Sequence, residues 1–405
     1  MPVDLEALPG RLARPAAPAI GRWCLVGLPG ALICSGLLLW LWPQDSWRMS
    51  PWFWGCSVVL PLLAALLLGA LALLAHERRH EWIESWNQQQ ARQLQALLAK
   101  GQRRAALLDT AYCTAVGSSD LAQMPTDSGK PLKSTYFPAT GQTVAVNRLE
   151  PAALDYSESE YCQRLAVHLR HIIETLQPSL GAPLGAAPVH VRIRHDGTLG
   201  DDQVAALWHE VAGAAGFGAA TFTQHPGLLW LDSWLDGEPS AARLLSLEIN
   251  LFTAPVANQA ESVTAILLAR AGWVSDHARL PKAWLHRPVS VDSQGRGVGE
   301  ALRWANLEGA TAAFFTLSSQ VGPVSRRELA LGLNGLGNAI DLSRWQDLDD
   351  CFGMPAAALG NIALIIASER AGRDTEPQLL LVQDGACQDG HLQDGSLEAC
   401  VVRPA

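Results

Sequence analysis

Charged side chains are scarce in this chain of 405 residues: Asp, Glu, Lys and Arg make up 17% of it, against ~25% in an ordinary soluble domain. Part of the chain therefore avoids water. Several chemical signatures are missing as well. There is no Gly-x-Ser-x-Gly elbow and no Cys-x-x-Cys pair, so no motif declares a hydrolase nucleophile or a dithiol redox site. The eight Cys lack framework spacing, and Cys24, Cys34 and Cys56 lie in or beside apolar runs, which suits a reducing compartment. Disorder is excluded by the 49% hydrophobic content and the 15 Trp. The length allows two to three domain-sized units and a large core.

The apolar excess is concentrated near the N-terminus. From Trp23 to Gln44, 22 residues carry no ionisable group except Cys thiols, and Met49 to Ala75 adds 27 more. Each run exceeds the ~18–20 residues a helix needs to cross hydrocarbon. Trp23, Trp40, Trp42, Trp52 and Trp54 fall near the ends, where an indole N–H sits in the interface. The first run is too long for a signal core, and Ile33 is too bulky before Cys34 for lipoprotein processing. Two spans are expected, about 23–44 and 51–75. Arg11, Arg14 and Arg22 precede them, and Arg78, Arg79, Arg92, Lys100, Arg103 and Arg104 follow. Positive-inside orientation then places both termini of this multi-pass chain in the cytoplasm.

Residues 1–104 hold ten Lys/Arg against six Asp/Glu, whereas 105–405 hold 20 against 33. An acidic body without a basic stripe argues against nucleic acid as partner. Glu77 to Arg104 reads as a helix ending near Gly101, and Ser157-Glu158-Ser159-Glu160 as a capping box. That box opens a helix with Tyr161, Leu165, Leu169, Ile172, Ile173 and Leu176 on one face. Strands are expected at 105–116, 189–193, 244–251, 263–269, 288–291, 312–317, 379–383 and 397–402. Helices are expected near 202–215, 228–235, 298–307, 325–333 and 355–371. Alternation of this kind implies an α/β body around a mixed or parallel sheet.

Three stretches carry a resemblance. Leu107-Leu108-Asp109-Thr110-Ala111-Tyr112-Cys113-Thr114-Ala115-Val116-Gly117 resembles a ketosynthase opening strand and turn. Phe352-Gly353-Met354-Pro355-Ala356-Ala357-Ala358-Leu359-Gly360 resembles the small-residue turn before the long buried helix of the second half, and Gln378 to Pro404 its closing hairpin. In this order they resemble the thiolase/β-ketoacyl synthase fold, a layered body of two similar α/β halves. The residues themselves divide the N-terminal part into a tail (1–22), a transmembrane hairpin (23–75) and a juxtamembrane helix (76–104), and the resemblance implies halves at 105–272 and 273–405. With its two N-terminal spans, the chain is also similar to the type VI lipase adapter family.

Ketosynthase chemistry needs a thiolate and two imidazoles. Between Cys162 and Cys351 there is no Cys, so the middle of the first half supplies no nucleophile. By the resemblance, Met354 stands where one His is expected, and Leu317 and Ser318 where a strand leads to the other. Cys113, on the first strand, reads as a packed core thiol. His76-Glu77-Arg78-Arg79-His80 is a literal H-E-x-x-H, which on a helix places two imidazoles on one face. Without a third ligand it reads as a juxtamembrane charge cluster, leaving His76, Glu77 and His80 as weak metal candidates. Gly295 to Gly299 and Gly332 to Gly337 lack the Lys-Ser/Thr of a phosphate loop and read as turns. The thrice-repeated Gln-Asp-Gly at 383, 388 and 393 reads as loop, and His168 and His171 as solvated beside Arg164 and Arg170.

The resemblance implies a non-catalytic adapter without cofactor that binds a lipase-type effector and hands it to a secretion spike. A homodimer is compatible with it. The rival expectations are a membrane-bound acyl-transfer or zinc-dependent enzyme, and a sensor of a small acyl ligand.

Overall fold

The computed structural model describes the chain apart from residues 1–4, 6–7, 17–19, 42–49, 127–131, 138–140, 154–156, 182–188, 214–216, 224–226, 238–241, 253–255, 293, 308–312, 336–340, 384–386, 389–390 and 393–394. It divides into two compact units, Val3–Ala99 and Lys100–Ala405.

The N-terminal unit is helical. Helix α1 (Ile20–Leu41) contains Pro29. A second helix starts as α2 (Pro51–Trp54), where Ser50 accepts the N–H of Trp52 and Pro51 occupies the first turn. It continues through a π-turn (Gly55–Val59) into α3 (Leu60–Gly101). The continuous helix Pro51–Gly101 is long and apolar enough to cross a membrane, and a shorter apolar stretch spans Val26–Leu41. Both expose large apolar side chains, among them Leu32, Ile33, Leu66 and Leu67.

In the larger unit, β1 (Arg104–Thr114) is followed by the hairpin of β2 (Lys133–Phe137) and β3 (Gln142–Val146). Helix α4 (Glu158–Leu180), β4 (Val189–Arg194), α5 (Asp201–Ala212), β5 (Phe217–Phe222), α6 (Leu229–Asp236), β6 (Arg243–Asn250), β7 (Ser262–Arg270) and α7 (Ala271–Asp276) complete the first half. The second half runs β8 (Ala283–His286), β9 (Val289–Val291), α8 (Arg296–Trp304), β10 (Phe315–Ser319), α9 (Pro323–Gly335), β11 (Trp345–Asp347), α10 (Leu359–Asp374) and β12 (Gln378–Gln383). A small hairpin of β13 (Cys387–Gln388) and β14 (His391–Leu392) leads to β15 (Leu397–Pro404).

The main strands form one 11-stranded sheet with an internal repeat. The first half is ordered β5-β4-β6-β7-β1 and the second β11-β10-β12-β15-β8. Numbered by place in its own half, each reads third, second, fourth, fifth, first. The senses match too: the second strand runs parallel to the third and fourth, and the fifth is antiparallel to its neighbours. The two first strands meet at the centre, antiparallel, with Arg104 opposite His286 and Leu107 opposite Ala283. A near-dyad relates the halves, and α6 and α10 are counterparts, each joining a third strand to a fourth.

Burial follows from this layering. Strands β6 and β12 are buried along their whole length, as expected where both sheet faces are covered. Along β1, Ala105 and Leu107 enter the core that holds α6 and α10, while Ala106 and Leu108 enter the core beneath α4 and α5. Helix α10 is apolar on nearly all sides and buried from Leu359 to Ser368, the pattern of a helix enclosed between layers.

Two readings need correction. Arg164 and His168 are buried, not solvated: Arg164 donates to both Glu261 oxygens (3.1 and 2.8 Å) and to the carbonyls of Leu149 and Pro151. Only His171 and Arg170 of that set face water. The strand expected at 312–317 instead covers Phe315–Ser319, so Leu317 and Ser318 lie within it. Asp384, Asp389 and Asp394 of the repeated Gln-Asp-Gly lie outside the described residues.

Candidate functional site

The N-termini of α6 and α10 meet at the near-dyad, so closely that a Cβ on Gly360 would come within 2.7 Å of the Gly227 carbonyl oxygen. Such ends present unpaired N–H groups and the positive pole of the helix dipole, which together bind anions. Here both are filled by the chain's own carboxylates. Glu398, 2% exposed on β15, accepts from the backbone N–H groups of Leu228 and Leu229, the latter at 3.2 Å. Glu248, fully buried on β6, accepts from the N–H of Asn361 at 2.7 Å. The carboxylate from each half thus caps a helix of the other.

Two glycines make this possible. Gly227 has φ +72°, and a side chain there would collide with Glu398. A Cβ on Gly360 would stand 3.0 Å from Glu248 Oε1.

A buried cation completes the centre. Arg192 Nη1 lies 2.9 Å from Glu248 Oε1 and donates to Ser246 Oγ at 2.8 Å. Its guanidinium carbon sits 4.4 Å from the ring centroid of Trp230 on α6. Burial lowers the Arg192 pKa from its ordinary value, and Glu248 opposes that shift. The Ser246 hydroxyl donates to Asn361 Oδ1 at 3.1 Å, and Asn361 Nδ2 donates to the Ser246 carbonyl at 2.9 Å. Pairing and these hydrogen bonds offset part of the cost of burying the two charges.

Thiol chemistry is disfavoured at four cysteines of the larger unit. Burial pushes the Cys113 thiol up to about 11, inside the core beneath α4. Cys400 is fully buried, donates to the His286 carbonyl at 3.2 Å and is also shifted upward by burial. Cys162 and Cys351 shift upward as well, first through desolvation. A nucleophile needs the thiolate, which these shifts deplete.

The positions named from the sequence have partners of their own. Met354 is half-buried, and its backbone pairs with Asn258 (2.7 Å) and Ala260 (2.9 Å) before the turn into α10. Leu317 is a fully buried sheet residue, and Ser318 accepts from Trp345 Nε1 at 2.9 Å. The mouth of β10 is formed by Ser319 and Gln320, whose hydroxyl and N–H both donate to Asp349 at 2.6 Å. Burial raises the Asp349 carboxyl to about 6. His76 donates through Nε2 to the Ala16 carbonyl at 2.9 Å, and His80 Nδ1 lies 4.0 Å from Glu84. Among the described residues no three His, Cys, Asp or Glu side chains gather as a metal-holding group.

Sequence reasoning missed Glu248, Glu398 and Arg192. The available signal was charge inside otherwise apolar strands, at Glu248 in Leu245–Asn250 and Glu398 in Leu397–Val402.

No known protein family matches the chain by sequence, and no curated protein does. Solved structures do match in shape. The ketosynthase from module 1 of the bacillaene synthase of Bacillus amyloliquefaciens is 12% identical, with a TM-score of 0.52 over 76% of each chain. A β-ketoacyl synthase from Burkholderia phymatum is 9% identical, with a TM-score of 0.50 over 75% of this chain and 100% of that one. A type II polyketide ketosynthase, solved with its acyl-carrier protein, gives 10% and 0.51 over 75% of this chain and 99% of that one. The body has the thiolase/ketosynthase fold. Its repeated strand order, with α6 and α10 as counterparts, is the internal form of that likeness.

Proposed function

We propose that this chain is a non-catalytic adapter, anchored in the inner membrane, whose ketosynthase-like body holds a lipase-type effector for a type VI secretion spike. The observation that carries the non-catalytic part is the filling of both helix N-termini by Glu398 and Glu248. Acyl transfer needs free N–H donors where an oxyanion develops, and a carboxylate already seated there repels a second anion. The upward-shifted thiols of Cys113 and Cys400 support the same reading. Met354, Leu317 and Ser318 are then the degenerate positions of an ancestral site.

The membrane hairpin is supported by the exposed apolar surfaces of α1 and of the helix Pro51–Gly101. It is also supported by the bond from His76 to the Ala16 carbonyl. Residue 16 precedes the first apolar run and residue 76 follows the second, so both lie on one side of the membrane. The basic residues around them favour the cytoplasmic side. Effector and spike as partners rest on the resemblance of the whole chain to the lipase adapter family.

The fold likeness to ketosynthases favours one second reading, an acyl-transfer enzyme with relocated groups. Incubation with a long-chain acyl thioester, followed by intact mass measurement, separates the two. The adapter keeps its mass; a covalent acyl adduct on any cysteine overturns the non-catalytic reading.

A further inference from the structure

In the N-terminal unit a row of polar side chains on α3 bonds to the segment 9–16, a contact the adapter reading does not use. Residues 9–16, Pro-Gly-Arg-Leu-Ala-Arg-Pro-Ala, have neither helix nor strand, yet their backbone is bonded along α3. Asn87 makes a matched pair with one residue: its Oδ1 accepts the N–H of Leu12 at 3.0 Å, and its Nδ2 donates to the carbonyl of Leu12 at 3.0 Å. Gln90 Nε2 donates to the carbonyls of Pro9 and Gly10, the latter at 3.1 Å. His76 donates to the carbonyl of Ala16. Arg14 lies 3.8 Å from Glu84.

The lengths agree. The seven steps from Pro9 to Ala16 reach about 22 Å at ~3.1 Å each in an extended polyproline-like form, and the fourteen helical steps from Gln90 back to His76 reach about 21 Å. Pro9 and Pro15 favour that form, which makes no internal hydrogen bonds and so leaves its backbone for side-chain amides to read. Ile83 and Gln90, 6% and 7% exposed, are the buried residues of this part of α3, and both lie on the helix face that carries His76 and Asn87.

We propose that Asn87 and Gln90 of α3 form a site that recognises extended peptide backbone, and that its resident ligand is the chain's own segment 9–16, seated as an exchangeable strap. The holding bonds go mainly to backbone, so recognition depends on an extended, proline-containing segment more than on particular side chains. The ion pair Arg14–Glu84 is exposed and adds little hold of its own. His76, the first residue of the H-E-x-x-H match, is here a strap contact.

The test uses the full-length chain in native membranes. Arg14→Cys is combined with Glu84→Cys, or with Ser85→Cys, which sits on the opposite side of α3. Disulfides are formed by mild oxidation and mapped by mass. The strap predicts an intramolecular bond at 84 and almost none at 85. Adding Asn87→Ala lowers the yield at 84. A synthetic peptide of residues 8–16, at the ~1 mM effective concentration of a tethered short segment, lowers it by about half. Equal yields at 84 and 85 overturn the seat. Bonds formed only between two chains overturn its occupation in cis, and indifference to the peptide overturns its exchangeability.

Discussion

The carboxylate of Glu248, on β6 of the first half, accepts the backbone N–H of Asn361 at the start of α10 in the second half, at 2.7 Å. The same carboxylate holds Arg192 at 2.9 Å, so one residue caps a helix and neutralises a buried cation. Glu398 makes the reciprocal crossing to α6.

Removing the charge of Glu248 should be costly. Glu248→Gln leaves Arg192 buried opposite a neutral group, and loss of one partner of a buried pair costs about 3–5 kcal/mol. Urea unfolding of the variant should show a loss of that order. Arg192→Met together with Glu248→Gln should cost clearly less than the two single losses added, because the pair is then removed as a unit.

Gly227 is held by φ +72° and by the nearness of Glu398. Gly227→Ala should destabilise by about 1–3 kcal/mol from backbone strain, with the collision added. Glu398→Ala in the same chain should restore part of the loss, and a denaturation cycle over the four proteins measures it.

The cysteines give a rapid check. At pH 7.5, with Cys113 pushed up to about 11 and Cys400 buried, iodoacetamide should label neither until the protein is unfolded. Fast native alkylation of Cys113, read by peptide mass, would instead indicate an activated nucleophile.

Acid should weaken the body through two histidines. His168 and His286 are lowered to about 4, first by burial and then by neighbouring arginines, Arg164 and Arg403. From pH 6.5 down to 4 the unfolded chain binds protons that the folded chain refuses, so stability is greatest above 6.5 and falls across that window. His168→Gln should flatten the fall, which unfolding curves at several pH values would reveal.

Much of the architecture was readable because its signals are periodic. The stripe from Tyr161 to Leu176 and the capping Ser157 placed α4, and Ser157 does accept the N–H of Glu160 at 3.2 Å. The apolar stretch 355–371 placed α10, which starts at Leu359 and runs to Asp374. Strands β5, β8 and β11 were missed for physical reasons. Phe217–Phe222 is rich in Gly and Ala, Ala283–His286 has four residues between prolines, and Trp345–Asp347 has three. Their strand character comes from neighbours in the sheet. The central charges escaped notice because Arg192, Glu248 and Glu398 lie far apart in sequence, and only the fold pairs Arg192 with Glu248 and brings Glu398 to the start of α6. His168 was misplaced because a buried histidine beside a buried Arg164–Glu261 pair looks polar in one dimension.

Affinity purification of the full-length protein from membranes, with the helical anchor intact, tests the adapter proposal most directly. Recovery of a lipase-type effector together with a spike protein is the predicted result. Recovery of neither, with an acyl-carrier protein or an acylated cysteine in their place, would contradict it.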